Sequence, residues 1–409
     1  STIASSKSSA TSCTVSGITA RKFFSYFGVS AALLFCRMWP SVGKLPSDPG
    51  YDFLAQVERY GTRSFVQASE KYIQIAPRLV AWVALRFPLA YQALILQFLA
   101  IGVLALIAVT ISWAISFQTD SSTLGALCAI VFLTIPAASE STIGNAGSLK
   151  WPLLTALCIV AACPRFLMRF TWFSAFLVLL VSVSSPLFFV AMVPILWNSV
   201  QDRSTISKLR FLYFAFCTGL IVQGLAWLTK NRQMKIYGDA TQQAPWPGMG
   251  AFWYLVWLGP TVIGLAVVAV VLIDRKTVLS VQSSERHVAT WLGCMAIILS
   301  WLVWLSAGIK DSAAVATQSL AWIAFVVISH HLLSAQPVRL LVRLAIGFGY
   351  LMIGLFAVKW FIVSPYLSGG PTWNSEIQRA TEVCRSEGIE EVELQLSLAT
   401  VEFPCAKIR

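Results

Sequence analysis

Asp48, Asp52, Glu58, Arg59, Arg63, Glu70 and Lys71 crowd into the stretch from Pro40 to Pro77, in a chain with only 12% charged residues. Carboxylates beside cations at an apolar boundary suit proton abstraction coupled to departure of an anion. A carboxylate at the lip of an apolar cavity has its pKa lifted and can take a hydroxyl proton, while the cations hold the leaving group. Asp48 follows Leu45, Pro46 and Ser47 and precedes Pro49 and Gly50, which puts it on a turn. It is the first candidate base, and it reads equally as a turn former or as the cap of the following helix. Asp52 is the second candidate, with an alternative role as a first-turn acid that complements the helix dipole.

Lys71, Tyr72, Arg78, Lys150 and Arg232 supply four cations and a hydroxyl, the neighbours that a lipid-linked phosphate or pyrophosphate requires. Each alone also reads as an interfacial side chain that snorkels towards water. Glu140, Asn145, Ser148 and Lys150, before Trp151, form a second polar loop able to reach the same pocket, or ordinary loop polarity. Trp246, between Pro245 and Pro247, and Trp253 fit an aromatic belt better than a sugar platform. His287, His330 and His331 fall away from the acidic loop and are assigned no catalysis. No Walker loop, His/Cys metal cluster or dinucleotide glycine fingerprint is present. No cofactor is required by these residues, and a divalent metal is allowed but not indicated.

Helices in lipid are the expected scaffold for these residues. The chain is 57% hydrophobic with mean hydropathy +0.72, whereas a soluble domain carries about a quarter charged residues. Backbone amides in hydrocarbon find partners only within helices or closed barrels, and the apolar runs lack barrel alternation. The expected fold class is an all-α polytopic membrane protein with about eleven transmembrane helices. Hydropathy and breakers place them at 23–39, 91–117, 123–138, 151–163, 171–184, 187–200, 211–229, 251–273, 288–308, 313–334 and 340–363. Pro186 divides the fifth from the sixth, which form one kinked helix or two short ones. Before the second span, Tyr51 to Tyr60 reads as an amphipathic interfacial helix, and Arg78 to Phe87, started by Pro77, as another. Together they would roof a cavity between the spans.

Lys7, Arg21 and Lys22, then Arg165 with Arg169, Arg203 with Lys208 and Arg210, Arg275 with Lys276 and Arg286, and Arg339 with Arg343 fall on alternate connections. By the positive-inside rule these are cytoplasmic, which puts the first loop (40–90), the 140–150 loop, the 230–250 loop and the carboxyl tail outside. Residues 1–20 read as a disordered cytoplasmic tail, 21–364 as the transmembrane domain and 365–409 as a small extracytoplasmic element. In that element Ser375 to Ser386 reads as a helix with a Ser cap and Val392 to Leu398 as a strand. Cys384 and Cys405 are expected to form a disulfide there, since an outward tail meets an oxidising compartment. The other cysteines in or beside spans read as small apolar residues. The net charge of +12 is scattered over short loops, which fits topology and contact with anionic membrane lipid and excludes a nucleic-acid groove.

A short first span followed by an acidic motif in a long outer loop resembles the GT-C superfamily of integral membrane glycosyltransferases. More narrowly, Ser47-Asp48-Pro49-Gly50-Tyr51-Asp52-Phe53, then Tyr72 with Ile75-Ala76-Pro77-Arg78-Leu79-Val80-Ala81, then Pro136, Glu140, Asn145 and Lys150-Trp151, is similar to a bacterial, largely actinobacterial group. The tail with Trp373, Cys384 and Cys405 is also similar. Pro49 stands where that group has a second acid, which keeps Asp48 and Asp52 both in play. The resemblance implies transfer of a sugar from a polyprenyl-phosphate donor to a cell-envelope glycan or glycolipid on the outer face of a bacterial plasma membrane. Asp48 would be the base, and Lys71, Tyr72, Arg78 and Arg232 would hold the donor phosphate. The competing class is a lipid or solute transporter or flippase, whose path would need acids and bases buried mid-span. Apart from Arg37, Arg86 and Lys359 these are almost absent.

Overall fold

The computed structural model describes residues 20–44, 50–66, 72–135, 143–201, 204–228, 261–266, 268–269, 283–307, 314–334, 340–360, 371–395 and 400–408. They form helices throughout, with one small sheet near the carboxyl end. The longer helices are α1 (Ala20–Met38), α4 (Gln92–Thr119), α11 (Arg210–Leu228), α12 (Ser283–Ala307), α13 (Ala314–Ser334) and α14 (Leu340–Trp360). Between them lie α2 (Gly50–Tyr60), α3 (Ile75–Ala84), α5 (Ser122–Thr134), α6 (Lys150–Ala162), α7 (Pro164–Arg169), α8 (Thr171–Ser182), α9 (Met192–Gln201) and α10 (Ser204–Lys208). Each predicted segment overlaps one of these helices, with ends that differ by up to five residues, except over 251–273, of which only 261–266 and 268–269 are described.

Among the described residues, three segments are long and apolar enough to cross a membrane: Leu89–Thr119, Ser283–Val303 and Leu340–Val358. The shorter apolar helices run 10–17 residues. Several hydroxyls within the apolar helices bond locally. The hydroxyls of Thr110, Thr155, Thr218, Ser300 and Ser319 each donate to the carbonyl four residues back, so they need nothing from the surroundings.

The core and the periphery differ as helices do when their surroundings differ. Residues 314–329 of α13 and 152–162 of α6 are buried on every side, and α13 packs against α12, α5 and α6. Trp322 is fully enclosed, edge-on to Phe325 and Phe356 at 5.7 and 5.2 Å, pairs worth about 0.5–1.5 kcal/mol each beyond their buried area. On α14, by contrast, Leu344, Phe348, Leu351, Leu355 and Val358 recur at helical spacing on an exposed stripe. An apolar stripe this long is unusual on a surface that meets water.

Helix pairs close where a side chain is missing. Asp120, left-handed at φ 57°, turns α4 into α5, and the Ser121 hydroxyl caps α5 by accepting the Leu124 N–H at 3.2 Å. A Cβ on Gly125 would stand 2.0 Å from Ser116 Oγ and 2.3 Å from the Ser112 carbonyl oxygen, so α4 and α5 meet only because that atom is absent.

Several local expectations are corrected or, where two were open, decided. The second loop helix begins at Ile75, with Gln74 at its N-cap and Pro77 inside its first turn, where a proline's missing N–H costs nothing, and it ends at Ala84. The chain between α8 and α9 breaks at Val183–Ser185 and resumes as a 3-10 turn, Pro186–Ala191, so the fifth and sixth segments are two helices. In the tail, α15 spans Trp373–Ser386 with Thr372 as its cap, because that hydroxyl accepts the Ser375 N–H. The described strand β1 is Glu391–Gln395, antiparallel to β2 (Thr400–Pro404), with Leu394 opposite Val401.

The Cys384–Cys405 disulfide is present, with Cα atoms 5.6 Å apart, and ties α15 to the end of β2. Glu376 adds a second tie. Its buried carboxylate accepts from the Gln395 N–H at 2.7 Å and from Arg379 at 2.6 Å, while Arg379 also reaches the Glu393 carbonyl. Burial pushes this carboxyl up, but the bonds from Arg379 and from the Gln395 backbone outweigh it and hold it below the usual range. Cys128, Cys158 and Cys163 are buried with their thiols unbonded to each other, as small apolar residues are.

Candidate functional site

Lys150 and Tyr72 meet at one end of the bundle. Lys150 is the first residue of α6, and its ammonium donates to the Tyr72 hydroxyl at 2.5 Å, lying 5.1 Å from the Tyr72 ring and 5.7 Å from the Trp151 ring. The two residues are 78 apart in sequence, so the pairing is wholly tertiary. Two buried polar atoms from residues adjoining this pair in sequence, Gln74 Oε1 and Trp151 Nε1, have no hydrogen-bond partner among the described residues. The cation, the hydroxyl and the Trp151 indole N–H are groups that an oxyanion would satisfy, whereas Gln74 Oε1, an acceptor, calls for a donor such as a sugar hydroxyl.

The backbone leading to Tyr72 is stitched to helix ends by amides. The Gln223 side chain of α11 accepts the Ile73 N–H at 3.1 Å and donates to the carbonyls of Ile73 and Ser182 at 3.2 and 2.8 Å. The Ile75 N–H reaches the Val183 carbonyl and the Ala76 N–H the Ser184 hydroxyl, which satisfies the first donors of α3 in the absence of a side-chain cap.

Arg78 sits behind this strip with no exposed surface. Its Nε and a terminal amine both donate to Gln56 Oε1 of α2, at 3.2 and 2.8 Å, and its guanidinium lies 5.8 Å from the Phe53 ring. Burial lowers its pKa to about 10. The side chain thus latches α2 to α3. Phe53, Leu54 and Val57 are buried as their apolar spacing predicts, but so are Ala55 and Gln56, so the middle of α2 is enclosed on more than its apolar side.

The second predicted loop arrives by a special turn. Gly144, at φ +73°, brings its Cα so close to α1 that a Cβ would lie 2.4 Å from Met38 Sδ. Asn145 is buried, and its side chain accepts the Gly147 N–H at 3.0 Å, capping the 3-10 turn Ala146–Ser148 that packs on α2 and α3 and feeds directly into Lys150. Asn145 therefore shapes the loop that delivers Lys150.

The same end holds the turn after α1. Gln97 of α4 accepts the Gly43 N–H at 2.9 Å and donates to the carbonyls of Ser41 and Lys44 at 3.0 and 2.5 Å. Trp373 of the tail is buried there: its N–H bonds the Gly43 carbonyl at 2.7 Å and its indole N–H the Leu89 carbonyl at 2.8 Å. The described parts of the first loop, the second loop and the tail thus gather at one end. The Asp120–Arg165 pair, at 3.0 Å, closes the opposite end.

Of the residues singled out in the sequence, Tyr72, Arg78, Asn145, Lys150 and Trp151 come together here. Asp48, Lys71, Pro136, Glu140, Arg232, Trp246 and Trp253 lie outside the described residues, and Asp52 and Arg59 are placed on α2 by backbone alone. The glutamines were missed. Gln56, Gln97 and Gln223 each hold the scaffold together, and amides in apolar helices are the signal that would have found Gln97 and Gln223, since hydrocarbon offers them no partner. Among the described residues no group of three His, Cys, Asp or Glu side chains is placed to bind a metal. Comparison with protein-family models finds no match, and comparison with curated proteins finds none either.

Proposed function

We propose that the chain is a membrane glycosyltransferase of the GT-C kind, moving a sugar from a polyprenyl-phosphate donor to a cell-envelope glycan or glycolipid. In this reading it lies in a bacterial plasma membrane with about eleven crossings, its amino end cytoplasmic and its carboxyl tail outside. The observation that carries the proposal is the Lys150–Tyr72 pair, built from two motif segments distant in sequence, with the partnerless indole N–H of Trp151 next to Lys150 in the chain. A phosphate is the leaving group that such a set stabilises as negative charge develops on it. Asp48, four residues past the Gln97-clamped turn, deprotonates the acceptor hydroxyl, with Asp52 one helical turn further on as the alternative base. Lys71 and Arg232 complete the phosphate shell, and Arg78, bonded to Gln56, holds α3 against α2, the helix that carries Asp52.

The test uses purified protein in lipid with a panel of radiolabelled polyprenyl-phosphate sugars, water serving as a slow acceptor, with Asp48→Asn and Lys150→Met in parallel. Donor-specific sugar release that both variants lack supports the proposal. Wild-type turnover by Asp48→Asn with a dead Asp52→Asn moves the base to Asp52, and turnover by Lys150→Met removes the phosphate site from this pair.

A further inference from the structure

At the end of the bundle opposite the Lys150–Tyr72 pair, a groove of about 230 Å³ opens between α7, α9 and the turn before α11. Leu167, Ile195 and Leu209 form its buried apolar floor, and Met168, Asn198 and Gln201 complete its lining. Asn198 Nδ2 is buried and has no hydrogen-bond partner among the described residues. The floor is bordered by cations: Arg169 follows Met168, and Lys208 and Arg210 flank Leu209, all three exposed. Arg165 is engaged by Asp120, whereas among the described residues no carboxylate pairs with Arg169, Lys208 or Arg210.

Aromatic rings mark the depth of this groove. Exposed Trp172 packs on Phe211 at 4.1 Å, the Arg210 guanidinium lies 4.9 Å from the same Phe211 ring, and exposed Trp197 stands 6.3 Å from Trp291. Tryptophans interleaved with cations are the composition of a membrane–water boundary. At that depth an apolar floor meets acyl carbon, an amide meets an ester or phosphate oxygen, and three positive charges meet an anionic headgroup.

We propose that this groove seats one anionic phospholipid, its glycerol and upper acyl chain on Leu167, Ile195 and Leu209 and its phosphate between Asn198 and the Arg169, Lys208 and Arg210 charges. The inference rests on the membrane reading above but not on the sugar-transfer reading, since no catalytic group takes part. The occupant is a lipid rather than a soluble phosphate because a free anion would leave the apolar floor uncovered.

The experiment is native mass spectrometry of the full chain released from detergent micelles, titrated with phosphatidylglycerol or phosphatidylcholine. Wild type should retain one phosphatidylglycerol about tenfold more strongly than phosphatidylcholine, a difference of about 1.4 kcal/mol. Leu209→Trp, which fills the floor, and Arg169→Gln with Lys208→Gln should each abolish the preference, and Arg343→Gln should keep it. Asn198→Ala guards against misfolding by the bulkier variant and should lower retention about threefold at an unchanged melting temperature. Equal retention of the two lipids, wild-type retention by Leu209→Trp or Asn198→Ala, or an equal loss in Arg343→Gln would each overturn the proposal. Each result stands apart from the radiolabel assay, so failure of one does not mimic failure of the other.

Discussion

Gln56→Leu should destabilise the protein although it removes no charge and adds apolar surface. Arg78 is fully enclosed, and its depressed pKa of about 10 means that burial alone costs about 3 kcal/mol at neutral pH. Two bonds to Gln56 Oε1 offset part of that cost, and hydrogen bonds to charged groups are worth about 1.5–3 kcal/mol each. Both converge on one oxygen, and Arg78 has further contacts, so the expected loss is about 2–3 kcal/mol rather than the full sum. Arg78→Met in the same background should restore most of it, because an apolar pair of similar volume no longer carries a buried charge.

The assay is equilibrium unfolding by SDS in mixed micelles for wild type, the two single variants and the double. A coupling energy of about 1.5 kcal/mol or more is expected. Additive effects, or a Gln56→Leu loss below about 0.5 kcal/mol, would refute the latch. The pH dependence gives an independent sign. The folded guanidinium releases its proton at a lower pH than the unfolded one, so from about pH 10 upward the unfolded chain binds more protons. Wild type should therefore gain stability relative to Arg78→Met over that range, and a relative loss would contradict the assignment.

Tyr72→Phe removes the acceptor of the Lys150 ammonium and, on the proposed function, should lower kcat for a polyprenyl-phosphate donor about tenfold with little change in KM, measured by radiolabel transfer at varied donor. Gly144→Val forces a branched side chain into a left-handed residue against Met38, and should lower stability by about 2 kcal/mol or more in the same SDS titration. Cys384→Ser with Cys405→Ser opens a loop of sequence separation 21 and should cost the tail about 3 kcal/mol, read as faster limited proteolysis within 371–408. The tail should also loosen in acid. Glu376 has a depressed folded pKa, so its contribution is complete above the unfolded value of about 4.3 and drains as pH falls below it; proteolysis rates that stay flat from pH 6 to pH 3 would count against this.

Helix positions were legible because each apolar run is bounded by its own breakers. Asp120-Ser121, Cys163-Pro164 and Ser185-Pro186 end or cap helices through contacts within a few residues. The tail disulfide was legible for a different reason, as the one cysteine pair in a polar segment too small to fold on a core alone. Start points of short helices were less so. Thr372 rather than Ser375 caps α15 because Trp373 must enter the bundle at Gly43 and Leu89, a constraint that local sequence does not carry.

Composition and the position of charge thus determined by themselves that the chain is helical, where its described helices lie and which loops hold its concentrated polar and charged residues, since these follow from local solvation and backbone chemistry. Tertiary structure alone decided which of those groups meet. It turned Lys150 onto Tyr72 across 78 residues, withdrew Arg78 into a latch with Gln56, and clamped the turn before Asp48 with Gln97 and Trp373. Such pairings depend on how far each helix is slid and rotated against its neighbours. Those offsets are set by close approaches such as Gly125 on Ser116 and Gly144 on Met38, contacts whose two halves lie on different helices or loops.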